Sequence, residues 1–121
     1  AWGGTNGVQT MLPALYSEGV LKRGLPIEQL MRLISTNPAM IFGLYPQKGS
    51  IQLGSDADFV IFDPEKEWRV TPDLLFYKNK HTPYMGMTLT GCVEKTFVRG
   101  NLVYDSGKIE AKPGSGCFLH R

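Results

Sequence analysis

Histidine is scarce in this chain. His81 and His120 are the only two among 121 residues, and neither belongs to an HxH or HExxH pair, so no two imidazoles stand at metal-ligand spacing. Cysteine is as sparse: Cys92 and Cys117 stand alone, without a CxxC. Four ligands at recognisable spacing, as structural zinc requires, are not present. One disulfide between the two cysteines is arithmetically available, but free thiols are the usual state of two isolated cysteines in a reducing compartment. Charge of one sign is lacking too: 13 Lys and Arg are mixed with 11 Asp and Glu, for a net charge of +2. That excludes the clustered basic face of a dedicated nucleic-acid binder. No apolar run approaches the roughly 20 residues of a membrane span, and the opening residues, lacking a charged and then apolar lead-in, give no expectation of a secretory signal. Nucleophile elbow, P-loop and dinucleotide fingerprint are all absent.

What is present is an ordinary soluble composition, 42% hydrophobic and 20% charged, at a length sufficient for one domain with a core. The chain opens at Ala1-Trp2 rather than at Met, which hints that Ala1 is not the natural start. Its organisation changes near Tyr45. Before that point the periodicity is helical. Val8, Met11, Leu12, Leu15 and Tyr16 form one amphipathic stripe. Pro13 is tolerable if the helix starts near Thr10, and Gly19 followed by Lys22-Arg23-Gly24 supplies a stop. A second stripe runs through Ile27, Leu30, Met31 and Ile34 behind Pro26. Thr36-Asn37-Pro38 is expected to cap and restart a short helix that Gly43 closes. Each helix has a wide apolar face that needs a partner surface.

Beyond Gly49 the pattern is that of strands. The stretch Lys48–Asp63, KGSIQLGSDADFVIFD, carries a turn-rich lead-in into a short strand, Phe59–Phe62. Ala57, Phe59 and Ile61 alternate with Val60 and Phe62, so both faces are apolar and burial on both sides is expected. Asp63-Pro64 is expected to end the strand. Short candidates follow at Trp68–Val70, Thr88–Thr90, Cys92–Val98 and Leu102–Tyr104. Arg99-Gly100-Asn101 between the last two is a tight-hairpin signal. Thr71-Pro72-Asp73 can start one helical turn, and Lys112–Arg121 reads as an extended tail. The chain is thus α+β, helices first and a small antiparallel sheet after.

Few residues suggest chemistry. His81 lies in the polar loop Lys78–Tyr84, where a solvated or hydrogen-bonded role is expected, and His120 adjoins the C-terminus. Asp56 and Asp58 share a face beside a turn, so turn-capping or solvation is the expected use of the pair. The loop Trp2-Gly3-Gly4-Thr5-Asn6-Gly7 precedes a helix and offers backbone N–H groups. Two readings of it stay open: an ordinary loop whose glycines allow the turn, or the rim of a ligand site. Its GxxG spacing does not specify phosphate.

Taken in order, AWGGTNGVQTMLPALYSEGV, LISTNPAMIFGL, KGSIQLGSDADFVIFD, KNKHTPYMGMTLTG and KTFVRGNLVYD resemble the C-terminal part of a cyclic amidohydrolase. That group includes allantoinases, dihydropyrimidinases (hydantoinases) and dihydroorotases. The resemblance spans Ala1 to about Asp105, and Trp2-Gly3-Gly4 followed by Gly7-Val8-Gln9 points to the allantoinase branch. It implies the last helices of a TIM-like barrel in residues 1–45, and the C-terminal strands of a small β-sandwich, with a tail, in 46–121. The whole would be a fragment of an α/β metal-dependent hydrolase.

In such enzymes a binuclear zinc centre supplies a metal-bound hydroxide that attacks a ring amide carbonyl. The resemblance places the ligands upstream of this chain, so catalytic and metal-binding residues are expected to be none here and the isolated chain inactive. It implies a substrate-binding role for Asn6 through its backbone, with Gly3 and Gly4 shaping the same rim. The implied partners are a cyclic ureide or amide, the remainder of the enzyme, and further copies in a homo-oligomer such as a tetramer, with neither nucleic acid nor membrane. The implied location is the cytoplasm. The implied reaction is allantoin to allantoate, with a dihydropyrimidinase or dihydroorotase fragment as one alternative and a non-catalytic assembly module as another. Alone, the chain is expected to expose apolar faces and strand edges.

Overall fold

A computed structural model describes residues 4–119. Helix formation starts at Thr10, whose backbone N–H and hydroxyl both donate to the Gly7 carbonyl, at 3.2 and 3.3 Å. Helix α1 (Met11–Leu15) follows and continues without a break into a π-helical stretch, Tyr16–Leu21. Pro13 stands in the first turn, where its missing N–H has no intrahelical acceptor to lose. The helical run passes through Gly19 and ends where Lys22-Arg23-Gly24 is expected to stop it. Gly24, at φ +70°, makes the reversal, and Leu25 N–H donates back to Gly19 O at 3.0 Å.

The buried face of this helix also departs from the apolar stripe. Thr10, Pro13, Ala14 and Ser17 are buried, whereas Met11 and Leu15 are exposed and Val8 precedes the helix, 83% exposed. Small residues let the helix approach its neighbours closely, and the larger side chains are left on the other side.

Helix α2 (Ile27–Met31), a π-helical stretch Arg32–Thr36 and helix α3 (Asn37–Ile41) run on from one another. The expected restart at Thr36 is absent. Thr36 has helical dihedrals and makes no capping bond; its hydroxyl donates to Gly49 O at 2.9 Å. Pro26 precedes the first helical residue instead of occupying it. Leu30 is fully buried and Ala39 nearly so, and Gly43, at φ +69°, closes the run as expected.

Four strands form one sheet in the order β1-β2-β3-β4: β1 (Phe59–Arg69), β2 (Thr88–Val98), β3 (Asn101–Asp105) and β4 (Lys108–Ile109). β1 does not stop at Asp63-Pro64, and the candidates at Phe59–Phe62 and Trp68–Val70 merge into it. As an outer strand it has a side on which a missing donor costs no ladder bond. Asp63 Oδ1 meanwhile accepts the Glu65 and Lys66 N–H groups, at 2.9 and 3.2 Å. Nor is β1 buried on both faces. Phe59, Val60 and Ile61 are 40–48% exposed, since no second layer of strands covers them among the described residues. Phe59 finds partial cover by stacking on Phe97, ring centroids 4.6 Å apart.

β2 joins the two candidates on either side of Gly91, which has φ +99°. The β2–β3 hairpin turns through Arg99 and Gly100, φ +49° and +76°, with Val98 paired to Asn101. Both positive φ values match a type I′ turn. A second reversal at Ser106-Gly107 leads into β4, a strand not expected from the sequence.

The chain divides into two compact units. The first comprises residues up to Leu25 together with Asp63–Cys92, and its core is Ala14, Val70, Leu75 and Leu89, flanked by Trp68, Tyr77, Tyr84 and Met87. The second comprises Pro26–Phe62 together with residues from Val93 onward, and includes the buried Leu30 and Ala39. The change from helical to strand periodicity near Tyr45 therefore falls inside the second unit.

Candidate functional site

The glycine-rich loop before α1 is the best-defined candidate. Gly3 lies outside the described residues; Gly4 is exposed, and Asn6 is half-buried. The Asn6 side chain is committed to the protein: Nδ2 donates to Asn79 O at 3.3 Å and to His81 O at 3.0 Å. The Asn6 carbonyl accepts the Thr82 hydroxyl at 2.7 Å. Thr82 is 1% exposed, so water does not compete for that bond.

Gln9 adds a second set of bonds. Its Nε2 donates to Leu74 O at 2.7 Å while its Oε1 accepts Phe76 N–H at 3.0 Å. Its own N–H donates to the Tyr77 hydroxyl at 2.7 Å. A single primary amide thus serves both a carbonyl and an N–H of another segment, using the donor and acceptor geometry peculiar to Asn and Gln. Tyr84 stands close to Gly7, where an added Cβ would lie 3.7 Å from its ring. Gln9 figures in the sequence only as part of the Gly7-Val8-Gln9 signature, and neither it nor Tyr77 and Thr82 carries a local sign of this role. They meet the loop across separations of 65 to 76 positions, and no local pattern announces such pairs.

The loop offers backbone polar groups and no nucleophile or general base of its own. His81 lies in the loop as expected and gives its carbonyl to Asn6; His120 falls outside the described residues. Among the described residues no three His, Cys, Asp or Glu side chains group together as a ligand set. The described residues therefore do not fit a binuclear zinc centre. Cys92 and Cys117 are not joined in a disulfide.

Asp58 has the turn-capping use expected of the pair, and both Asp56 and Asp58 also share an ion pair that their spacing does not suggest. Lys48 bridges both, its Nζ 2.8 Å from Asp56 Oδ2 and also bonded to Asp58 Oδ2. Asp58 Oδ1 then accepts the Arg99 N–H at 2.7 Å, at the β2–β3 turn. Burial works against the Lys48 ammonium, but its hydrogen bonds to Asp56 and Asp58 prevail and its pKa is raised above the ordinary 10.5. The Asp56 carboxyl is correspondingly lowered from 3.8, chiefly by its bond to Lys48. In the β2–β3 pair, Lys95 lies 2.5 Å from Asp105 and lowers it likewise. These ion pairs hold turns and strands, and account for the charged clusters without a ligand.

The model of the family described as "Amidohydrolase family" matches residues 4–103. The chain belongs to the amidohydrolase family. Within the family it is 44% identical over 105 residues to the allantoinase of Escherichia coli O139:H28, covering 87% of this chain and 23% of that protein. It is 42% identical over 119 residues to the allantoinase of Rubrobacter xylanophilus, covering 98% and 26%. Among solved structures, the L-hydantoinase (dihydropyrimidinase) from Arthrobacter aurescens superposes with a TM-score of 0.94 at 38% identity, covering 100% of this chain and 27% of that one. This amidohydrolase chain thus spans about a quarter of the length of the curated relatives it matches. No helix among its described residues is long and apolar enough to cross a membrane.

Proposed function

We propose that this chain is the C-terminal part of an allantoinase-like cyclic amidohydrolase, which opens the hydantoin ring of allantoin to give allantoate. The observation that carries the reading is a colinear match over most of the chain to proteins named allantoinase, at 42–44% identity. The L-hydantoinase superposition, over the full chain, supports a cyclic amide as the substrate class.

In this reading residues 1–45 end the barrel and 46–121 complete the β-sandwich. The exposed apolar side chains Val8, Ile41, Ile51 and Leu53 then meet parts of the enzyme contributed by other residues. The hydrolytic chemistry belongs to a binuclear zinc centre held outside this chain, in a cytoplasmic homo-oligomer. The chain's own share is to bind: the Asn6 backbone faces the cyclic substrate, with Gly3 and Gly4 on the same rim. A loop dominated by glycine lets the main chain approach a flat ring closely, which a Cβ would obstruct.

The test is the complete polypeptide, purified with zinc and given allantoin, hydantoin, dihydrouracil and dihydroorotate in turn. Preferred hydrolysis of allantoin, lost on chelation and restored by zinc, is the expected result. Preference for dihydrouracil or dihydroorotate reassigns the substrate, and turnover of none of the four sinks the enzymatic reading in favour of an assembly module. Zinc titration of the isolated chain is expected to show no binuclear stoichiometry.

A further inference from the structure

We propose that Thr82 and Gln9 are positioning residues, which set the orientation of the Asn6 peptide group that a cyclic substrate meets; this rests on the reading of Asn6 as a substrate contact. A backbone contact needs a fixed peptide plane, yet the loop holds Gly4 and Gly7 on either side of Asn6, the residue type that orders at the greatest entropic cost. Rigidity must come from outside the loop.

It comes from the segment Leu74–Thr82, which takes part in six hydrogen bonds with Asn6 and Gln9. The bond from Thr82 to the Asn6 carbonyl governs orientation most directly. The hydroxyl oxygen accepts the Tyr84 N–H at 3.5 Å while its proton is directed at Asn6 O at 2.7 Å. Because the peptide between Asn6 and Gly7 is planar and trans, fixing the carbonyl also fixes the Gly7 N–H on the opposite side. Gln9 holds the other end of the loop, where one amide clamps Leu74 O and Phe76 N–H together.

The deciding experiment is steady-state kinetics of the complete, zinc-loaded enzyme carrying Thr82→Val or Thr82→Ser, on whichever cyclic amide the wild type hydrolyses. Valine keeps the shape of threonine and removes the hydroxyl; serine keeps the hydroxyl. The expected outcome for Thr82→Val is a KM raised roughly five- to tenfold with kcat within about twofold, the signature of lost uniform binding. Thr82→Ser is expected to stay near the wild-type KM. An unchanged KM in a folded Thr82→Val protein overturns the proposal, as does a Thr82→Ser variant equally impaired. Should Thr82→Val fail to fold, Gln9→Met is measured in the same way: a raised KM at similar kcat supports the proposal and an unchanged KM overturns it. A wild type inactive on all four cyclic substrates removes the functional reading itself, and the positioning role with it; an active wild type with an indifferent Thr82→Val removes only the latter.

Discussion

A methyl group placed on Gly49 would lie 2.5 Å from the Cβ of Ala39. It would also stand 3.0 Å from the Ser35 carbonyl oxygen and 3.2 Å from the Thr36 Cα, and the backbone there has φ +77°. The glycine lets the loop after α3 lie directly on the preceding helical turn, where Thr36 donates to the Gly49 carbonyl. Gly49→Ala is therefore expected to cost about 2–4 kcal/mol, from overlap with backbone and from left-handed strain together. Urea unfolding of the purified protein measures it; a loss under about 1 kcal/mol would contradict this packing.

Gly100 supplies the comparison. Its φ is +76°, nearly that of Gly49, but an added Cβ would meet only the Ala57 Cβ, at 4.0 Å. Gly100→Ala is expected to cost only about 1–2 kcal/mol, the strain of a non-glycine residue in the left-handed region. The same unfolding series ranks the two substitutions. Equal losses would mean that overlap with Ala39 is relieved by local movement.

In the first unit, Leu75 and Leu89 are at most 1% exposed within the cluster that also holds Val70 and Ala14. Leu89→Ala leaves a cavity and is expected to destabilise by about 2–5 kcal/mol. Exposed Leu53→Ala, in the second unit, is expected to change stability in the isolated chain by less than about 0.5 kcal/mol. Parallel thermal melts of the two variants distinguish them, and similar shifts would mean the cluster is not the core.

The Lys48–Asp56–Asp58 group predicts a pH dependence of stability. Asp56 is lowered in the fold, so its contribution is present above its ordinary pKa of 3.8 and is lost as pH falls through the lowered value. Lys48 is raised, so its contribution is present below 10.5 and is lost as pH climbs through the raised value. Lys48→Met removes the charge both effects depend on. Unfolding measured from acid to alkaline pH should show both outer limbs flattened in the variant; limbs as steep as in the wild type would place the dependence elsewhere.

Trp68 Nε1–H donates to Gly91 O at 3.0 Å, joining β1 to the Gly91 irregularity in β2. Trp68→Phe keeps the ring in the cluster and removes the donor, for an expected loss of about 1 kcal/mol. Amide hydrogen exchange near Gly91 should quicken; unchanged exchange and stability would make this bond incidental.

Much of the fold was legible because it depends on neighbours in sequence. Thr10 and Pro13 mark the first helix, Gly43 closes the third, and Arg99-Gly100 turns a hairpin through positive φ values that few residue pairs accept. Hydrophobic periodicity puts Met11 and Leu15 on a face that needs a partner surface, and both are exposed in this chain, while Thr10, Ala14 and Ser17 are buried because close approach there favours small side chains. Pro64 ends a strand only where both of its sides are paired, and β1 is an outer strand.

The candidate site divides in the same way. Asn6, Gly4 and the turn into α1 are a local pattern of glycines before a helix, and the family membership rests on motifs that are likewise read along the chain. Which residues hold that loop was decided by tertiary structure alone. Thr82 reaches Asn6 across 76 positions, and Gln9 reaches Leu74 across 65. Lys48 similarly gathers two aspartates whose spacing by itself suggests only a turn-capping or solvated pair. Periodicity, caps and turns are energies of adjacent dihedrals, so the sequence determines them directly. A buried hydroxyl or a bridging amide gains its partner only when folding brings distant backbone groups within about 3 Å, and no run of neighbouring residues encodes that meeting.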